Sequence, residues 1–449
     1  MIHSSSDVHE VMPTILLKRE VLILGGGLSG ISLAEALIRA GVHVTIVEQA
    51  ISLGGGASKR RFFDDRTRKA DRLVEIISRF EKSENITMLT QSELVDLQGH
   101  FGSFRAKVRK NDGQIVELTP AIIVAATGYL SLRQSQGLPE TNAGIIYLPD
   151  MEKLIAAASG EKLSLNGKQL SDITFFLDAV NDDIKLDSIN VLEQAIALAN
   201  RFNCQVSVLC RDLKVSFDGG ERLYRKAREA GVLFFKYAEP PDFCLENGRL
   251  SVSLPDATFP NNVDQKEITL TPDVIVLPET CQPGSKTDRL AGILRIPLGK
   301  GGYLMEDNPQ FLRIRSARRG IYVTGACRFP QDLTETQREA EATAQEIISI
   351  LLPGTYDCGP VYAEVDTNKC ALCYTCPRLC PHSAITVEKY AKQNIYRIPN
   401  SGGDDALQNA ARVEPAACYG CGLCVAECPA QAISLRGESN HFNQQSKLI

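Results

Sequence analysis

Of the 14 cysteines in this 449-residue chain, eight lie between Cys370 and Cys428. They form two runs of one pattern: Cys370-x2-Cys373-x2-Cys376-x3-Cys380-Pro381 and Cys418-x2-Cys421-x2-Cys424-x3-Cys428-Pro429. Thiolates are soft ligands, and two-residue gaps wrap a short loop around one metal centre with its N–H groups aimed at sulfur. Paired C-x2-C groups also suit zinc, but zinc does not explain two full four-cysteine runs with matching prolines. The pattern is that of a pair of [4Fe–4S] clusters. A chain of this length folds without disulfide staples, so clustered cysteines indicate metal rather than an oxidising compartment.

A second constellation lies near the start. Gly25, Gly27 and Gly30 form G-x-G-x-x-G between an apolar run, Glu20–Leu24, and a helical pattern from Ile31 to Ala40. The first glycine allows the tight turn, the second admits a pyrophosphate to the backbone, and the third lets helix and strand pack closely. The helix N-terminus then faces the phosphates. Glu48 closes the next strand, His43–Val47, where an acid accepts hydrogen bonds from the adenosine ribose. Leu28, Ser29 and Gln49 complete the candidate contacts of this dinucleotide site. No Ser–His–Asp set or carboxylate pair stands out, so no catalytic side chain is assigned.

These motifs need elements to hold them. The length predicts about three domains. Composition is ordinary for a globular protein, at 44% hydrophobic and 23% charged residues. The net charge of −5 gives no support to nucleic-acid binding. Met1–Pro13 lacks the pattern of a secretory signal, and no window approaches the ~18 apolar residues of a membrane span. The expected location is cytoplasmic, without direct membrane insertion. Strand and helix patterns alternate over residues 143–271 (Ile173–Leu177, Ile189–Phe202, Gln205–Cys210, Glu221–Ala230, Val232–Phe235), predicting βαβ units on a parallel sheet. Asp273–Leu277 and Gly320–Thr324 are expected to return to the first sheet. A helix over Leu333–Leu352 ends at Pro353-Gly354, the linker before the cysteine region.

The cysteine region resembles the bacterial two-cluster ferredoxins. In that pattern, three cysteines of one run and the last of the other hold each cluster. One set is then Cys370, Cys373, Cys376 and Cys428; the other is Cys418, Cys421, Cys424 and Cys380. The polar insert over residues 389–412 is a candidate partner-facing loop. The N-terminal part resembles two-domain flavoprotein oxidoreductases in three more places, which favours FAD. Gly55 and Gly56 belong to a glycine cluster after the acid. Ala126-Thr127-Gly128 ends an apolar strand. Gly325-Ala326 closes a late motif, followed by a helix whose N–H groups near Thr334 would face the flavin pyrimidine edge. Ala326 and Cys327 replace the acid that usually holds the ribityl chain. Cys327 is either packed in the core or a flavin contact, and Cys204, Cys210, Cys244 and Cys281 are expected to be small buried hydrophobes.

Together with the segment 210–232 and the stretch 324–333, these motifs make residues 18–436 resemble a short form of HdrA, the flavin-carrying iron–sulfur protein of heterodisulfide reductase. The resemblance implies a Rossmann-like FAD domain (18–142 and 272–353) with an inserted Rossmann-like domain (143–271). An α+β 2[4Fe–4S] ferredoxin domain (362–436) follows. It implies an oxidoreductase component passing electrons between FAD, two [4Fe–4S] clusters and the other subunits of a cytosolic complex, with a homo-oligomeric arrangement and a place in sulfur metabolism. Gln331 stands where electron-bifurcating relatives often carry lysine. The alternative is a self-contained NAD(P)H-dependent flavin oxidoreductase resembling the glutamate synthase small subunit. Against it, the turn after Leu177 has no glycine and carries Asp178, Asp182 and Asp183, which repel a pyrophosphate at close range.

Overall fold

A computed structural model describes residues 13–59, 67–133, 144–178, 185–246, 249–255, 267–391 and 407–437. Along the chain run β1 (Glu20–Leu24), α1 (Leu28–Arg39), β2 (His43–Val47), β3 (Ile86–Leu89), β4 (Ile122–Ala125), β5 (Ile145–Tyr147) and β6 (Asp172–Phe176). Next come α2 (Lys185–Phe202), β7 (Gln205–Cys210), β8 (Leu233–Lys236), β9 (Val274–Leu277), α3 (Thr287–Leu294), β10 (Ile321–Val323) and α4 (Leu333–Leu351). The cysteine region supplies β11 (Tyr362–Val365), β12 (Ile385–Ala391), β13 (Leu407–Val413) and β14 (Ile433–Arg436).

The first parallel sheet has the order β10-β4-β1-β2-β3. Its strands are apolar on both faces because both are covered. Val21 and Ile23 of β1 pack with Ile31 and Leu37 of α1 and Ala344 and Ile347 of α4. Leu22 and Leu24 face the other way, onto Phe104 and Val108 of an antiparallel sheet formed by Ser92–His100, Ser103–Lys110 and Ile115–Leu118. Alternate residues of one strand therefore build two cores.

The second parallel sheet has the order β5-β9-β6-β7-β8 and the same kind of cover. Ile173 and Phe175 meet Val191 and Leu198 of α2, while Phe176 and Ile275 meet Leu250 and Val252 of a second antiparallel sheet. Here the structure departs from the sequence reading. Val274–Leu277 does not return to the first sheet; β9 pairs in parallel with β5 and β6. An apolar four-residue run suits any buried parallel strand, and periodicity alone does not say which sheet takes it.

In the cysteine region β11 pairs with β14 and β12 with β13, both antiparallel. The module rests on the first sheet's N-terminal rim. Arg319 donates to the Ala416 carbonyl at 3.1 Å, and its guanidinium lies 4.4 Å from the Tyr419 ring centre. Tyr419 in turn stacks on His382 at 4.2 Å. His382 Nδ1 lies 2.6 Å from the Ala317 carbonyl, which only accepts, so Nδ1 carries the proton. Among the described residues, no helix is long and apolar enough to cross a membrane.

Candidate cofactor sites

The glycine turn is built as its spacing requires. Gly25 has φ +112°, and a β-carbon there would lie 2.4 Å from the Ala126 carbonyl oxygen. A β-carbon on Gly30 would lie 2.0 Å from the Gly25 carbonyl oxygen, so only glycine brings helix and strand this close. At Gly27, the residue preceding α1, a β-carbon would meet nothing within 4 Å among the described residues, which leave the space before the helix open. Ser29, in the first turn, is buried, and its hydroxyl has no partner among the described residues. An open cradle, an orphaned hydroxyl and a helix N-terminus are the donor set that a pyrophosphate satisfies.

Glu48 is held by two backbone donors: Gly26 N–H to Oε2 and Ala50 N–H to Oε1, each at 2.7 Å. Each oxygen keeps a further lone pair for a ribose hydroxyl. The second glycine cluster folds back across the first. Gly54 N–H donates to the Gly26 carbonyl at 2.7 Å, and a β-carbon on Gly55 would come within 3.1 Å of Gly27 Cα. A β-carbon on Gly56 would meet nothing within 4 Å among the described residues. A cavity of about 270 Å³ opens beside the turn, lined by Gly25, Glu48, Gln49 and Thr127. Its far wall was not foreseen from the motifs. Ser92, Glu93 and Leu94 follow β3, and the loop Gly284–Thr287 with Arg289 closes the rim. Only the chain's long-range path brings these residues to the site, and no local spacing marks them. Lys286 at 2.6 Å and Arg109 hold the Glu93 carboxyl down at about 2 by hydrogen bonding.

On the other side of β1, Ala126 is buried against Leu24, whose carbonyl accepts its N–H. Gly128 has φ +65° at the turn after Thr127. Gly325 has φ +73°, and a β-carbon there would lie 2.8 Å from Ser29 Oγ and 3.3 Å from Thr336 Cγ2. Thus β10's end, α1's start and the first turn of α4 meet at one point. Ala326 is buried there. Leu28 instead faces a groove shared with α4.

One expectation changes here, and of the two readings open for Cys327 the structure shows the packed one. The Thr334 N–H does not point freely at a ligand: Asp332 caps α4, its Oδ1 accepting from Thr334 N–H at 2.6 Å and Glu335 N–H at 3.0 Å. A carboxylate at the Ncap is the local partner that helix N–H groups most readily find. Cys327 is core, 2% exposed, its thiol donating to the Ala125 and Thr324 carbonyls at 3.2 Å. Burial pushes that thiol up to about 12, so it stays protonated. Next to it, Glu339 gathers the Gly325 N–H at 2.6 Å, Gln331 Nε2 at 3.0 Å and the Arg328 guanidinium. Arg328 also pairs with Glu306 at 3.2 Å. Gln331 is thereby tied into a buried ion-pair network. Of the other cysteines, Cys204 and Cys210 are buried as expected, whereas Cys281 is half-buried and Cys244 exposed.

At the matching end of the second sheet, Asp178 accepts from the Arg211 N–H at 2.7 Å and from the Tyr237 hydroxyl. A fixed carboxylate thus bridges β6, β7 and β8 where a second dinucleotide would place its phosphates. The rest of that turn, residues 179–183, lies outside the described residues, as do residues 392–406 of the insert between the cysteine runs.

The eight clustered thiols surround two cavities. Cys370, Cys373, Cys376 and Cys428 line one; Cys380, Cys418, Cys421 and Cys424 line the other. The fold therefore brings the last cysteine of each run to the other run's first three. Backbone N–H groups point at sulfur: Ala384 to Cys380 at 3.4 Å, Ala432 to Cys428 at 3.3 Å, Gly420 to Cys418 at 3.4 Å and Ala363 to Cys418 at 3.5 Å. Burial pushes Cys376 and Cys424 up to about 11, so thiolates there need a neighbouring cation, which iron supplies. His382 lines the second cavity, the one nearer the first sheet.

Residues 23–92 match the model of an NAD(P)-binding Rossmann-like domain, and residues 369–432 match that of a 4Fe-4S dicluster domain. An HdrA-like heterodisulfide reductase protein of Archaeoglobus profundus is 22% identical over 83% of this chain and 72% of its own. An HdrA iron-sulfur protein of the CoB–CoM heterodisulfide reductase of Methanopyrus kandleri is 24% identical over 83% of this chain and 70% of its own. Among solved structures, T. acidophilum thioredoxin reductase aligns with a TM-score of 0.48 at 15% identity, covering 74% of this chain and 99% of that one. The chain is a homologue of the HdrA proteins of heterodisulfide reductase, an oxidoreductase with an FAD site and two [4Fe–4S] sites.

Proposed function

We propose that this chain is the electron-transfer subunit of a cytosolic heterodisulfide-reductase-like complex, exchanging electrons between FAD, two [4Fe–4S] clusters and partner subunits. We assign it to sulfur metabolism and to a homo-oligomeric arrangement within that complex. The observation that carries the reading is the pairing of a complete dinucleotide cradle with two crossed four-thiol cavities in one chain. Bound FAD exchanges electrons in pairs or singly, and each cluster carries one, so the combination converts between two-electron and one-electron traffic.

The protein's own part is to hold and tune. Gly27, Ser29 and the start of α1 receive the pyrophosphate, and Glu48 accepts the ribose hydroxyls. Gln49, Gly55, Gly56, Thr127 and Gly128 shape the groove, while Gly325 and Ala326 border its flavin half. Cys370, Cys373, Cys376 and Cys428 hold one cluster; Cys418, Cys421, Cys424 and Cys380 hold the other. The N–H groups of Ala384 and Ala432 donate to ligand sulfur and stabilise negative charge on it. The Asp178 bridge disfavours a nicotinamide dinucleotide on the second sheet, which supports electron supply through partners. The test is anaerobic reconstitution: about eight Fe and one FAD per chain are expected. NADH or NADPH alone should leave the flavin oxidised on the timescale of turnover. Rapid bleaching of the flavin by either would overturn the partner-fed reading.

A further inference from the structure

The order of the first sheet orients the dinucleotide groove. Glu48 ends β2 on one side of β1 and marks the adenosine end. β4 and β10 lie on the other side and end at Thr127-Gly128 and Gly325-Ala326. On the FAD reading, the flavin half would extend over β4 and β10, toward the first turn of α4, where a β-carbon on Gly325 would lie 3.3 Å from Thr336.

That turn is acidic. Asp332 caps it, and Glu335 lies in its first turn. Inside the network beneath it, Glu339 and Glu306 are already matched by Arg328. Glu335 is matched from elsewhere. Lys185, the first residue of α2 on the second sheet, reaches across and pairs with it, the two side chains being 29% and 33% exposed. A second bridge, Arg338 to Asp218 at 3.2 Å, joins α4 to the same unit but is far more exposed.

We propose that Lys185 is a redox-positioning residue: delivered from the second sheet's unit, its ammonium offsets Glu335 at the flavin end of α4 and so raises the flavin's reduction potential. The inference rests on the FAD reading above. Reduced flavin carries negative charge at its pyrimidine edge, and an unmatched carboxylate in a partly desolvated site opposes that charge. Because the lysine and the glutamate belong to different units, the position of the second sheet against the first sets the potential, even though that sheet's own dinucleotide end is bridged by Asp178.

The experiment is an anaerobic redox titration of the reconstituted full chain, with FAD content measured on each sample. Lys185→Gln should lower the ratio of reduced to oxidised flavin at a given potential about tenfold, a shift of about 30 mV to more negative values for a two-electron couple. Glu335→Gln should shift it the other way, and the double variant should fall between them. Lys185→Arg should keep the parent value, and Asp218→Asn, which breaks only the exposed bridge, should not move it. If Lys185→Gln and Glu335→Gln shift the potential in the same direction, the pair is only a clamp and the proposal fails. It also fails if neither variant moves the potential at full FAD occupancy. A parent chain that takes up no FAD would overturn the cofactor reading itself, and this proposal with it.

Discussion

At the scale of single residues, the crossed thiol sets make a prediction that iron counting can read. Cys428→Ala combined with Cys370→Ala should lose one cluster and keep about four Fe, because both belong to one cavity. Cys428→Ala combined with Cys418→Ala should lose both clusters. If each run held its own cluster, these two results would be exchanged. Glu93 gives a pH prediction. Its folded value of about 2 lies below the ordinary carboxylate value of about 4.3, so its ion pairs contribute above that value and are lost as pH falls toward 2. The pairs are partly exposed, so the contribution is about 1 kcal/mol or less. Thermal release of FAD, followed by flavin fluorescence, should show a larger drop in midpoint between pH 5 and pH 3 for the parent than for Glu93→Gln.

At the scale of elements, α4 serves three neighbours at once. Its first turn meets Gly325 and α1, its Asp332 cap settles two of its own N–H groups, and Glu335 receives Lys185. Replacing the cap by alanine should cost about 1 kcal/mol, measured by urea unfolding of the holoprotein, while Asp332→Asn should retain most of it. The strand β9 carries another lesson of this scale. Its four apolar residues are buried whichever sheet receives them, and the return of the chain to the first sheet waits until β10.

For the whole molecule, the notable feature is where the cysteine module sits. It touches the segment leading into β10 through Ala317 and Arg319 and the end of an antiparallel strand through His100, whereas the glycine turn and Gly325 lie at the C-terminal ends of the first sheet's strands. The Cys380-Cys418-Cys421-Cys424 cavity is the one beside this contact, with His382 in its lining, and the other cavity is lined by none of the contact residues. Arg319→Ala removes both a hydrogen bond to Ala416 and the stack on Tyr419, each worth about 1 kcal/mol. Hydrogen exchange should accelerate around 317–320 and 416–420 in that variant, with the FAD and iron content unchanged.

The cofactor classes, a dinucleotide and a pair of iron–sulfur clusters, were legible in the chain because they depend on local spacing, while FAD in particular came from the resemblance to flavoproteins. The two C-x2-C-x2-C-x3-C-P runs and the G-x-G-x-x-G turn between a strand and a helix each do their chemistry within a dozen residues. The exchange of the last cysteine between runs came from the resemblance to two-cluster ferredoxins, and each cavity is lined by three thiols of one run and the last of the other. The rest depends on contacts between residues far apart in sequence, which periodicity does not encode. Tertiary structure alone set β9 in the second sheet, lined the cavity beside Glu48 with Ser92–Leu94 and Gly284–Thr287, and buried Cys327 as a protonated core thiol. It also closed the second sheet's dinucleotide end with Asp178 and Tyr237 and brought Lys185 to Glu335. Each of these is a choice among sequence-compatible partners, decided by which groups the packed sheets leave within hydrogen-bonding reach.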